Sequence, residues 1–155
     1  MMRPLALVRI SGACFDEEVC CTEEQLIRIL RAIEEVTAPL YWHVADLSTL
    51  EPVIRDAGLD GGHPILVGSI VDMKRLVRGS AQLLSGVFLA TTVCAPDAEF
   101  AGEFRTEDEP FRDIGRALLE IRAFDTSYFE IYGTNVDVVE ELGQRFRVPL
   151  IGVSE

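Results

Sequence analysis

Two histidines, His43 and His63, and four cysteines, Cys14, Cys20, Cys21 and Cys94, are the side chains of this chain best suited to nucleophilic or metal chemistry. A Ser or Cys nucleophile needs a base beside it, and the supply of bases is thin. His43 lies in the apolar run 40–47 (LYWHVADL) next to Trp42, the setting of a core or sheet-surface imidazole, and no G-x-S-x-G elbow accompanies it. His63 stands in the Gly-rich loop 60–64 (DGGHP) with Asp60, where His-Pro is ordinary turn chemistry. The cysteines form no C-x-x-C pair and no zinc spacing, and Cys20 and Cys21, being adjacent, are expected to point apart. The acidic stretches lack the D-x-D-x-D-G spacing that wraps calcium. No phosphate loop of either common kind is present, and the helix after Gly133 carries Asp137, Glu140 and Glu141 in its first turns, where they already occupy the positive end of its dipole. These residues assign no catalytic set, no metal and no cofactor.

One string has a family likeness. Arg112-x-x-Gly115-x-Ala117-Leu118-Leu119 resembles the acetyl-CoA pyrophosphate loop of the GNAT family of acyl-CoA-dependent N-acetyltransferases. In that family the R/Q-x-x-G-x-G/A pattern presents backbone N–H groups and a helix N-terminus to the diphosphate. The resemblance implies a small N-acetyltransferase-like enzyme built around Arg112, Gly115 and Ala117, with Asn135 opening a later helix that includes Phe146. It covers about a quarter of the chain, the N-terminal third shows no family pattern, and Glu107, Asp108 and Glu109 stand where the pyrophosphate would bind.

Charge points elsewhere. Twenty-six acids against fourteen bases give a formal −12, which disfavours nucleic acid and anionic membrane and favours a cationic partner. Asp16, Glu17, Glu18, Glu23 and Glu24 form one acidic cluster, and Asp97, Glu99, Glu103, Glu107, Asp108 and Glu109 a second; together they hold eleven of the 26 acids. The second contains Phe100 and Phe104, with Phe111 beside it, and aromatic anchors are what an acidic recognition surface needs near its carboxylates. The expectation is a non-enzymatic binding protein that engages a basic protein through Asp97, Glu99, Phe100, Glu103, Phe104, Glu107, Asp108 and Glu109, as a bacterial toxin-neutralising (immunity) protein would. The alternatives are the acyltransferase and a self-associating structural subunit, for instance a homodimer.

The elements that must position these residues centre on 117–132 (ALLEIRAFDTSYFEIY), which reads as a β-hairpin. Leu119, Ile121 and Ala123 alternate with Glu120 and Arg122, then Phe129 and Ile131 with Glu130 and Tyr132. Centring the turn on Thr126 faces Ala123 with Phe129, Ile121 with Ile131 and Arg122 with Glu130, and avoids the like-charge pair Glu120–Glu130. Phe124, Tyr128 and Tyr132 fall on the outer face, which is too apolar for full hydration and calls for cover by a helix or a second copy.

Upstream, 3–10 reads as a strand. Thr22-x-x-Gln25 is a capping box for a helix buried through Leu26, Ile29, Leu30, Ile33 and Val36, and 40–47 is a second strand. Ser48-x-x-Glu51 predicts a short helix to Gly58, 65–68 a third strand, Ser69 with Asp72 a helix to about Arg78, and 83–93 a fourth, central strand. The alternation of strands and helices predicts crossovers and largely parallel pairing. One helical turn over 110–115, a last helix from Thr134 with Val136, Val139, Leu142 and Phe146 inward, and a strand-like tail over 148–153 complete the reading. The fold expected is a single α/β or α+β domain over 1–155, with a mixed sheet of five to seven strands, packed helices and a C-terminal hairpin followed by a helix. A chain of 155 residues that is 48% hydrophobic and 26% charged can bury such a core unaided, and four cysteines without C-x-x-C or zinc spacing, with no signal-peptide pattern at the start of the sequence, predict a reducing cytoplasm.

Overall fold

The computed structural model describes residues 6–51, 58–94, 100, 102–109, 113–124 and 126–152. Strands β1 (Ala6–Ser11), β2 (Tyr41–Thr49), β3 (Ile65–Gly68), β4 (Leu83–Thr91), β5 (Leu119–Phe124) and β6 (Tyr128–Gly133) form one sheet in the order β1-β6-β5-β4-β2-β3. Helices α1 (Glu23–Val36), α2 (Ile70–Val77) and α3 (Val136–Phe146) lie on one face, which makes this an α+β fold. Among the described residues no helix is long and apolar enough to cross a membrane.

Every pairing in the sheet is antiparallel, which corrects the expected largely parallel pairing. The antiparallel ladder leaves β1 and β2 running in the same direction, with β6, β5 and β4 between them; β3 and β4 likewise run together, with β2 between them. The crossovers through α1 and α2 therefore exist, but each jumps over strands that later or neighbouring hairpins insert.

The β5–β6 hairpin takes the register that charge and alternation favour: Ala123 faces Phe129, Ile121 faces Ile131 and Arg122 faces Glu130. Thr126, in the middle of its three-residue turn, has φ 56°. Alternation sorts the sheet into two faces. Inward go Val8, Ile10, Trp42, Val44, Phe88, Ala90, Leu119, Ile121, Phe129 and Ile131, packed against Leu26, Ile29, Leu30 and Ile33 of α1 and Val139 and Leu142 of α3. The Thr22–Gln25 and Ser69–Asp72 capping boxes both form. In α3 the cap is Asn135 rather than Thr134: its Oδ1 accepts from the N–H groups of Asp137 and Val138, the use to which this chain puts that residue.

Other local expectations give way to tertiary pairing. Ser48 and Thr49 belong to β2, and beyond them Leu50 N–H donates to the Gln82 carbonyl and Glu51 N–H to that of Ser80, so Ser48 caps no helix; residues 52–57 lie outside those described. The tail 148–152 is not a strand, though Ile151 N–H donates to the Leu7 carbonyl at the β1 edge. Residues 113–116 form a turn and no helix, and 110–112 lie outside the described residues.

Candidate functional site

The second face of the sheet carries the polar chemistry. Between β4 and β5 the chain returns across it, and Phe100, Phe104, Ile114 and Ala117 close over Ala45, Val87 and Leu89 as a small second core. Phe100 also meets His43 edge-to-face at 4.8 Å and Phe104 at 5.8 Å. Phe100 and Phe104, expected as partner-facing anchors, are 6% and 2% exposed, and their rings fasten the acidic segment to the sheet. His43 is fully buried, while His63 is exposed, 4.0 Å from Glu103.

A β-bulge sets the segment's position. Asp46 sits in the left-handed region at φ 53°, where the β2–β4 register shifts, and this turns its carboxylate outward. That carboxylate accepts from Thr106 N–H at 2.8 Å and from the Arg105 guanidinium at 3.3 Å. Arg105 also reaches Glu103 at 3.1 Å, and its own N–H donates to Asp108 Oδ2. Thr106 Oγ1 in turn accepts from Gly86 N–H of β4.

Toward β5, β6 and β1 the outward positions hold a buried ionic network. Arg122, 1% exposed, lies 3.4 Å from fully buried Glu120 and donates to the backbone carbonyls of Asp108 at 2.6 Å and Glu109 at 3.3 Å. Its guanidinium also covers the ring of Tyr132 at 4.7 Å. Tyr132 O–H donates to Glu130 at 2.5 Å, and Glu130 accepts from Arg9 at 2.6 Å. Part of the hairpin's outer face, around Arg122, is thus covered by the chain's own acidic segment, while Phe124 and Tyr128 remain half-buried.

Burial first, and the bond to Glu130 second, hold the Tyr132 phenol well above its ordinary range. The folded state keeps a proton that the unfolded chain loses near about pH 10. The stability this group contributes is therefore complete below about pH 10 and declines as pH rises beyond it. Tyr132→Phe should flatten that alkaline decline when melting temperature is followed from about pH 8 to about pH 11. A slope equal to the wild type's would show that the phenol does not titrate late.

Two open recesses flank this network and share Phe124 and Tyr128. The larger, about 670 Å³, has an apolar floor of Leu84, Phe124 and Tyr128 and a rim that includes Asp46, Arg105 and Glu107. That rim sets the carboxylates of Asp46 and Glu107 around the Arg105 guanidinium, and the same segment carries exposed Glu103 and Glu109. The two floor rings pack at 5.0 Å, and the Arg9 guanidinium already lies 4.4 Å over Tyr128 from the far side. Of the residues expected to bind a partner, Glu103, Glu107 and Glu109 are exposed and Asp108 half-buried; Asp97 and Glu99 lie outside the described residues.

The acyltransferase likeness loses its geometry. Gly115, at φ 61°, and Ala117 lead from a turn straight into β5, so no helix N-terminus follows to receive a diphosphate, and Ala117 is buried in the second core; Arg112 is outside the described residues. Among the described residues no group of three or more His, Cys, Asp or Glu converges as metal ligands. Comparison with family models, curated proteins and solved structures finds no match.

Sequence reasoning missed Arg9, Asp46, Glu120, Arg122 and Glu130 as site-forming residues. A signal was present: Glu120, Arg122, Glu130 and Tyr132 share one face of the hairpin, and the long connection before it has to cover something.

Proposed function

We propose that this chain is a non-enzymatic acidic binding protein that engages a basic protein, the toxin-neutralising type being the most concrete form. The observation that supports it is the acid-rimmed recess floored by Phe124 and Tyr128. An aromatic floor with carboxylates above it suits a guanidinium or ammonium group, which gains ring-face attraction and ion pairing together. Arg9 on Tyr128 is the same recognition made within the chain. The formal −12 adds long-range steering of a cationic partner toward that face.

Glu107 and Glu109 have exposed side chains, so Glu107→Arg with Glu109→Arg changes the field without opening the core. With an arginine-rich peptide as probe in stopped-flow binding, the double variant should associate about tenfold or more slowly and with a shallower salt dependence. An unchanged rate, with the fold intact by circular dichroism, would remove this face from consideration.

A further inference from the structure

We infer that Cys20 and Cys21 form a reversible oxidation site, closing to a disulfide between adjacent residues; this holds whatever the partner proves to be. Adjacent residues in extended chain point to opposite sides, yet here the two Sγ atoms are 3.8 Å apart and both side chains are buried. The cause is the backbone of Cys21, in the left-handed region at φ 65°. That conformation is pinned from outside: Leu83 N–H donates to the Cys21 carbonyl at 2.6 Å, Gln82 Nε2 to the Cys20 carbonyl at 2.9 Å, and Thr22 bridges to Gln82 just before α1 begins. Cys21 Sγ also reaches the carbonyls of Tyr128 at 3.3 Å and Phe124 at 3.5 Å, on either side of the hairpin turn.

The pair divides its protons unequally. Donation from the Cys21 thiol, reinforced by backbone groups, holds Cys20 below the usual thiol range, while the same bond and burial hold Cys21 above it. Cys20 is therefore the sulfur that reacts first. It is followed in space and sequence by its resolving partner and preceded by exposed Val19, and the reagent that fits so closed a site is small, a hydroperoxide.

The step balances. The Cys20 thiolate attacks one peroxide oxygen and the O–O bond breaks, leaving a sulfenic acid on Cys20 and a hydroxide that takes up a proton to become water. Cys21 sulfur then attacks Cys20 Sγ and the S–O bond breaks. The departing hydroxide takes the Cys21 proton as a second water, so two thiols are oxidised by two electrons and one peroxide is reduced. Neighbouring trans residues have Cα atoms about 3.8 Å apart, shorter than disulfides prefer, so the bond is strained and readily reduced again.

Cys94 is exposed and Cys14 half-buried, so the test uses the Cys14→Ser, Cys94→Ser protein, folded and full length. Treated with a slight excess of hydrogen peroxide, it should lose two hydrogens in intact mass, gain no oxygen, and return to the starting mass with dithiothreitol. Peptide mapping should place both modified sulfurs in the one peptide that contains 20–21. In the same background Cys21→Ser should accumulate a sulfenic acid on Cys20 that dimedone traps. Recovery of both thiols unreacted, or addition of oxygen without loss of hydrogens, overturns the inference, as does failure of dimedone to label Cys20 in the folded Cys21→Ser protein.

Discussion

Arg122→Ala is expected to lower stability by about 3–5 kcal/mol, the largest effect of any single exchange on the outer face. The loss has two parts. Buried Glu120 and the hairpin partner Glu130 remain in the fold without the guanidinium between the strands, and the carbonyls of Asp108 and Glu109 lose the donor that holds the acidic segment down. For a domain of this size the melting temperature should fall by about 10 °C. Because stranded charge is the dominant cost, Arg122→Met combined with Glu120→Gln should recover a good part of it, and a double-mutant cycle in urea measures the coupling. Two independent, additive losses would show that Arg122 and Glu120 do not act as a unit.

Phe104→Ala comes second, with an expected cost of about 3 kcal/mol. Its ring packs with Phe100 among Ala45, Val87 and Leu89, and Phe104 N–H donates to the Gly62 carbonyl, so its removal loosens the segment that carries Glu103, Glu107, Asp108 and Glu109. Thermal denaturation and amide exchange both check this: the melting temperature should fall, and protection should drop first across 103–109. The same variant separates two roles for the ring. A surface anchor would leave stability untouched on truncation and lose binding alone; Phe104, being buried, should lower both.

How far the residues alone disclose this protein depends on the reach of each interaction. The hairpin register was legible because Arg122 opposite Glu130, and Ile121 opposite Ile131, are decided by a turn of three residues and by the exclusion of one like-charge pair. The capping boxes at Thr22 and Ser69 were legible for the same reason, since each bond spans three residues. Ser48 shows the limit of such local rules: it carries the same pattern, yet β2 runs through it because pairing with β4 outweighs the helix that Ser48-x-x-Glu51 would start.

The candidate site lay beyond that limit. Phe100 and Phe104 sit among carboxylates in the chain and read as surface anchors, until the bulge at Asp46 and the bonds from Arg122 fold that stretch onto the sheet. Cys20 and Cys21 read as divergent until contacts with Gln82 and Leu83 impose a left-handed turn.

By itself the sequence determined the places of the six sheet strands and three helices, the capping boxes at Thr22 and Ser69, the hairpin and its register, and the excess of negative charge, all consequences of periodicity, capping and composition within short windows. Tertiary structure alone decided which strands became neighbours, which charges were buried and what covered the outer face. Those outcomes rest on bonds such as Arg9 to Glu130, 121 residues apart, whose formation depends on the whole sheet having closed.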